Sequence, residues 1–224
     1  NWCPRCETAI ADSEVEYADS TDPSIYVKFP LMGQNIEYLV IWTTTPWTLP
    51  ANVAVAVKDD FRYARVKAIK GDESEILWIA EELVESVLRK GRYTDYDILE
   101  TVYGSNLVGT TYSSPLVEKV PAQAGLTHRV ISADFVTLEN TGLVHIAPGH
   151  GWDDYLVGLE NGLEVFCPVG EDGCFTEDAG LYADMYVKDA NEIIIDDLGD
   201  FLLARESIEH RYGHCWRCKT PIIY

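Results

Sequence analysis

Trp42-Thr43-Thr44-Thr45-Pro46-Trp47-Thr48-Leu49-Pro50-Ala51-Asn52 holds four threonines, two tryptophans, two prolines and an asparagine, with no charge. Tyr38-Leu39-Val40-Ile41 before it reads as a buried strand, and Val53-Ala54-Val55-Ala56-Val57 after it as another. A strand thus delivers uncharged hydroxyls onto a proline-stiffened bend, and the chain then returns to the core. Hydroxyls donate and accept without carrying charge, which suits orientation of a small polar group or a water molecule. The same composition also fits a plain strand–turn–strand in which threonine merely favours extended backbone.

Outward from this bend, apolar runs predict strands over 25–29, 36–44, 53–57, 63–69, 76–79, 102–103 with its flanks, 129–132 and 143–147. Ala64, Val66 and Ala68 alternate with Arg65 and Lys67, the period of a half-buried strand. Helices are fewer. One is expected over 80–90, with Leu83, Val84, Val87 and Leu88 on one face and Gly91 as its stop; 153–159 and 189–198 are the others. Many short strands, few helices and no βαβ rhythm predict an α+β fold, a β-barrel-like domain. With 224 residues, one main domain and a small appendage are expected.

Hydrophobic residues make up 47% and charged residues 24%, which places the chain among ordinary globular proteins. No apolar run approaches the length of a membrane span, so no membrane partner is expected. Asn1-Trp2-Cys3 is not a signal-peptide start and reads as part of something longer. The net charge of −20, from 17 basic against 37 acidic residues, excludes a long basic track for duplex nucleic acid. An acidic domain can still receive the tip of a nucleic acid held elsewhere, and a halophilic or thermophilic source accounts for the acidity equally well. The bases are uneven: Arg205, Arg211, Arg217 and Lys219 gather near the end beside His210 and His214.

Cys3-Pro4-Arg5-Cys6 and Cys215-Trp216-Arg217-Cys218 stand near the two ends. Each CxxC aims two thiolates at one point, and two such knuckles make a tetrahedral zinc site. The arginine inside each is expected to lower the thiol pKa. The separation is far longer than in an ordinary ribbon, and it makes sense if a whole domain is inserted into one ribbon loop. Residues 1–20 and 205–224 are then the two ribbon halves, and 21–204 the inserted domain. Separate redox pairs or a disulfide framework are the alternatives. Cys167 and Cys174 read as buried thiols packing as small hydrophobes.

Phosphate-cradling GxxxxGK, GxGxxG, HExxH and GxSxG are all absent, so chemistry rests on the threonine bend and on residues 145–154. Val144-His145-Ile146-Ala147 reads as a strand, Pro148-Gly149-His150-Gly151 as a turn, and Asp153-Asp154 as a helix entrance. Free backbone donors favour carboxylates there, so Asp153 reads as a cap and Asp154 as an ionised group able to hold an ammonium. His145 can be a satisfied core histidine. His150 receives no role.

The string at 42–52 resembles the threonine-rich motif in the editing domain of isoleucyl-tRNA synthetases. The valyl and leucyl relatives carry an arginine after the threonine pair, where this chain has Thr45. Gly142-Leu143-Val144-His145-Ile146-Ala147-Pro148-Gly149-His150-Gly151-Trp152-Asp153-Asp154-Tyr155 resembles the family's second editing motif. The flanking knuckles match the segments where this insertion joins the synthetase body. The resemblance implies an aminoacyl-tRNA ester hydrolase that clears valyl-tRNA carrying the isoleucine anticodon, with valyl-adenylate as a second species. Asp154 would anchor the substrate's α-ammonium, and His145 and Trp47 would line its side-chain pocket. Thr43, Thr44, Thr45, Thr48 and Asn52 are the candidates for orienting water, carbonyl and terminal ribose, one of whose hydroxyls assists. Cys3, Cys6, Cys215 and Cys218 would hold a structural zinc. The partners implied are the 3′ end of an aminoacylated tRNA with its valine moiety, and the remainder of a cytoplasmic synthetase. The HIGH and KMSKS signatures are missing, so no amino acid is activated on this chain. A non-catalytic zinc-ribbon module docking on RNA or protein is the alternative, and it leaves both motifs unexplained.

Overall fold

The computed structural model describes residues 1–33 and 36–224. Strands β1 (Trp2–Cys3) and β2 (Thr8–Ala9) form the opening knuckle. They are followed by β3 (Val15–Pro30), β4 (Glu37–Thr43), β5 (Ala54–Val57), β6 (Arg62–Lys70) and β7 (Glu73–Ala80). Helix α1 (Val84–Lys90) precedes β8 (Asp95–Tyr103), β9 (Arg129–Ser132) and β10 (Val144–Ile146). Helices α2 (Trp152–Glu160) and α3 (Asn191–Asp197) and strand β11 (Leu202–Cys215) complete the order.

Nine strands form one mixed, curled sheet of half-barrel shape in an α+β domain. Strand β4 is its pivot. Along one edge it pairs antiparallel with β3, from Ile25↔Thr43 to Pro30↔Tyr38. Its other edge is divided: Glu37 to Leu39 pair parallel with β7, and Trp42 pairs parallel with β10. Strand β10 then pairs with β5, and β5 with β9. Both faces are covered, so Leu39, Val40 and Ile41 are all fully buried and the run shows no polar alternation. Val40 packs with Ala64, Val66, Leu77 and the α1 residues Val84, Val87 and Leu88 on one face. Leu39 and Ile41 pack with Ile25, Phe29, Trp47, Tyr63 and Tyr112 on the other.

The expected strands are present, several of them longer than expected. Residues 25–29 are the inner end of a sixteen-residue strand, β3, whose outer part pairs with β11 as far as Cys215↔Val15. The expected boundaries at 20/21 and 204/205 fall inside this paired stretch of β3 and β11, and Trp2 and Ile223 beside the knuckles pack against the main core. The helix expected over 80–90 begins as a 3-10 turn at Glu81–Leu83 and becomes α-helical at Val84. The thiols of Cys167 and Cys174 are not a buried pair: Cys167 is exposed and Cys174 half-buried, because their loop runs over the surface beside the knuckle.

Gly142 leads into β10 with φ +73°, and a Cβ there would stand 2.4 Å from the Cβ of Ala80. The phenol of Tyr63, fully buried, donates to the Gly142 carbonyl at 2.8 Å. Left-handed backbone and overpacking act together, so Gly142→Ala is expected to lower the unfolding free energy by about 2–5 kcal/mol in a denaturant titration. A loss below about 0.5 kcal/mol, the range of neutral surface changes, would contradict this packing.

Candidate active site

Strand β4 ends at Thr43, and the chain passes through Thr44 and Thr45 into a 3-10 turn, Pro46–Ala51. Pro46 opens that turn, where its missing N–H costs nothing. The Thr43 hydroxyl accepts from the Thr45 backbone N–H at 3.0 Å, and the Thr48 hydroxyl donates to the Thr45 carbonyl at 2.8 Å. The bend is thus tied by its own side chains. Thr43, Thr44, Thr45 and Thr48 line a cleft of ≈ 250 Å³, with His145 and Asp154 also in its wall.

His145 is buried and uses both ring nitrogens. The Asn52 amide nitrogen donates to the Ala54 carbonyl at 2.9 Å, which fixes the orientation of the amide. The same nitrogen, 2.8 Å from His145 Nδ1, must therefore donate there, so Nδ1 is the acceptor. The proton lies on Nε2 and is donated to Thr48 Oγ1 at 3.0 Å. Tyr112 closes the far end by donating to Asn52 Oδ1 at 2.7 Å. Burial, with His150 nearby, holds the His145 pKa down to about 3. This imidazole is a fixed neutral wall.

Asp154 sits in the first turn of α2, and its Oδ2 accepts from the Ala147 N–H at 2.8 Å. Burial raises its pKa to about 6, against the lowering by that hydrogen bond. A helix entrance by itself favours ionisation. Burial works the other way and wins, although the carboxylate still prevails at pH 7. Asp153 is not a cap: Gly151 holds that position, and Asp153 is exposed. Trp47 and Asn52 do not line the cleft, because the 3-10 turn buries their side chains behind it. There Asn52 hydrogen-bonds His145, and Trp47 meets the His150 ring edge-on at 5.2 Å. Sequence reading missed Trp42, Thr137, Glu139 and Asn140, which also line the cleft. The polar turn signal Glu139-Asn140-Thr141-Gly142 could have marked that loop, but not the side it faces.

At the far end of the ribbon, one sulfur from each of Cys3, Cys6, Cys215 and Cys218 lies within 4.8 Å of the other three. Cys3 and Cys218 sulfurs are 3.4 Å apart, far longer than a disulfide, and all four are free. Burial raises the Cys3 thiol to about 12. Burial raises the Cys218 thiol, but hydrogen bonds from Thr220, Cys3 and Cys6 together outweigh it and bring the thiol down to about 6. The arginines expected to do this do not: Arg217 lies over the Trp216 ring instead.

No protein-family model matches the chain. Curated relatives do, over its entire length. The isoleucine–tRNA ligase of Methanoculleus marisnigri is 72% identical, that of Methanospirillum hungatei 66%, and that of Archaeoglobus fulgidus 60%. The chain is similar along its whole length to a segment of isoleucine–tRNA ligases. These matches take in 100% of this chain but only 21–22% of each ligase. Among solved structures, the crystal structure of GlLeuRS-CP1 superposes with a TM-score of 0.62 over 80% of this chain and 97% of that one. At 16% identity that likeness is one of fold, the fold of the CP1 editing domains of leucyl-tRNA synthetases. No helix among the described residues is long and apolar enough to cross a membrane.

Proposed function

We propose that this segment of an isoleucine–tRNA ligase hydrolyses the ester of valyl-tRNA mischarged in place of isoleucyl-tRNA, with valyl-adenylate as a second substrate. One observation carries the reading: a row of neutral hydroxyls and a half-buried carboxylate, Asp154, line the same small cleft as a rigid neutral histidine. An aminoacyl ester is already activated, so the site must place water and hold the ammonium rather than supply a strong nucleophile. Thr43, Thr44, Thr45 and Thr48 orient the water, the carbonyl and the terminal ribose, and Asp154 takes the α-ammonium. The need is set by magnitude: one methylene in an apolar pocket is worth about 1–3 kcal/mol, the isoleucine–valine pair being the standard illustration of that limit. The reading makes the 3′ end of tRNA and the rest of the synthetase the partners, and the cytoplasm the place of action.

The four cysteines suit a structural zinc in this reading. Tetrahedral Zn–S bonds of about 2.3 Å place sulfurs roughly 3.8 Å apart, and the observed cluster needs little adjustment to meet that. Zinc there would order the two knuckles against each other, and it supplies no chemistry to the cleft. Elemental analysis is expected to find about one zinc per chain, and Cys3→Ser should fray the knuckles while the barrel, with its own core, keeps its melting transition. Disulfides in metal-free protein purified under reducing conditions would contradict the zinc assignment.

Asp154→Ala is expected to nearly abolish deacylation of valyl-tRNA, since removing one partner of a buried charged pair typically costs about 2–5 kcal/mol. Exposed Asp153 caps nothing, so Asp153→Ala should stay within about 0.5 kcal/mol of the parent in stability and near it in rate. The carboxylate form is the one that binds, so kcat/KM should fall as pH drops through about 6 and level off above it. Equal losses in the two folded alanine variants would sink the assignment.

His145→Ala opens the wall held by Asn52 and Thr48. Overpacking by one methylene costs about 1–3 kcal/mol, which is how such a wall excludes isoleucine. The variant is therefore expected to gain hydrolysis of correctly charged isoleucyl-tRNA while keeping part of its activity on valyl-tRNA. Unchanged selectivity in a folded variant would move the size limit to another residue.

A further inference from the structure

His150 is the one motif histidine without a role so far, and its surroundings differ from those of His145. Its Nδ1 lies 3.0 Å from the backbone oxygen of Tyr224. A backbone oxygen only accepts, so Nδ1 carries the proton and Nε2 presents a lone pair. That Nε2 is buried and has no hydrogen-bond partner among the described residues. The residue is only 8% exposed and lines the same cleft as Asp154 and the threonines. Burial keeps its pKa below the ordinary histidine value, so the lone pair is free at neutral pH.

The backbone holds His150 and Asp154 together. One peptide unit on each side of Ala147 does this: the Ala147 N–H donates to Asp154 Oδ2, and the Ala147 carbonyl accepts from the His150 N–H, each at 2.8 Å. Between the two residues, a Cβ on Gly151 would stand 3.0 Å from the Asp154 carboxyl carbon, so the backbone abuts that carboxylate. On the other side, a Cβ on Gly149 would meet the Phe166 carbonyl at 2.6 Å. The Gly-His-Gly sequence is what lets the turn press this close. Trp47, edge-on to the imidazole, fixes its plane.

We propose that His150 is a second acceptor for the α-ammonium of the substrate, shared with Asp154. The proposal rests on the ester-hydrolase reading above. An ammonium has three N–H donors and no acceptor, and it needs acceptor atoms around it. Asp154 has one oxygen already engaged by Ala147, and His145 has neither nitrogen free. His150 Nε2 is an acceptor that stays neutral, so it adds a hydrogen bond without a second negative charge to raise the Asp154 pKa further.

The test compares two esters on the full-length ligase carrying this chain: valyl-tRNA, and isovaleryl-tRNA, whose ammonium is replaced by a hydrogen that donates no hydrogen bond. His150→Asn keeps a donor where Nδ1 was and removes the acceptor; His150→Gln places an amide near the Nε2 position. A hydrogen bond to a charged group is worth about 1.5–3 kcal/mol, so His150→Asn should lose about 10- to 100-fold in kcat/KM on valyl-tRNA. Its rate on the isovaleryl ester should stay within about twofold of the parent, and His150→Gln should recover part of the loss on valyl-tRNA. Asp154→Asn should show the same split between esters. Equal loss of both activities in His150→Asn, or no loss of either, overturns the proposal. A parent protein that hydrolyses neither ester overturns the ester-hydrolase reading itself and this proposal with it.

Discussion

The whole arrangement depends on how the backbone groups of β4 are shared. A central strand must find hydrogen-bond partners along both edges, because an unpaired buried N–H or C=O is costly. Strand β3 supplies one edge without interruption, but the other is divided between β7 at its start and β10 at its end. Where β7 gives way to β10, β4 delivers Thr43 beside His145, and both line the cleft. The register at this end fixes which strands meet, and so which residues face each other.

The local parts of the site were legible because their chemistry is local. The threonine bend is tied by bonds between residues two or three apart, and the Gly-His-Gly turn by bonds between Ala147, His150 and Asp154. Strand β11 was not legible. Its sequence, Leu202-Leu203-Ala204-Arg205-Glu206-Ser207-Ile208-Glu209-His210-Arg211-Tyr212-Gly213-His214-Cys215, pairs in a ribbon that is mostly wet, so no hydrophobic period marks it. Tyr112 was invisible for another reason: it reaches Asn52 across 60 positions of sequence, and nothing around it announces a partner.

The state of Asp154 shows two rules of sequence reading in competition. A carboxylate in the first turn of a helix gains about 0.3–1 kcal/mol from the dipole when it is exposed. Moving a carboxyl pKa from 3.8 to about 6 is an effect of roughly 3 kcal/mol in the opposite direction. Burial therefore outweighs the dipole, and position on a helix predicts the wrong sign of the shift. The consequence is useful to a binding site. A carboxylate that is uncomfortable alone gains most when a cation arrives, so its interaction with an ammonium is stronger than that of an exposed aspartate.

Charge also settles what the cleft can and cannot do for an RNA end. Of the four bases that cluster late in the sequence, two pair with acids: Arg205 with Glu192, and Lys219 with Glu16. Arg211 is turned to the Tyr17 carbonyl, and Lys90 is held by Glu206. With a net charge of −20 around them, these residues form no track for phosphates, whose neutralisation is the main source of affinity for nucleic acids. In the proposed reading the rest of the synthetase supplies that affinity by tethering: a linked partner presents its end at an effective concentration in the millimolar range for short flexible links. Under tethering, weak recognition of the RNA itself is an advantage. In the proposed reading the cleft then has only the acyl group to recognise: the ammonium that every aminoacyl ester carries, and the one methylene by which isoleucine exceeds valine.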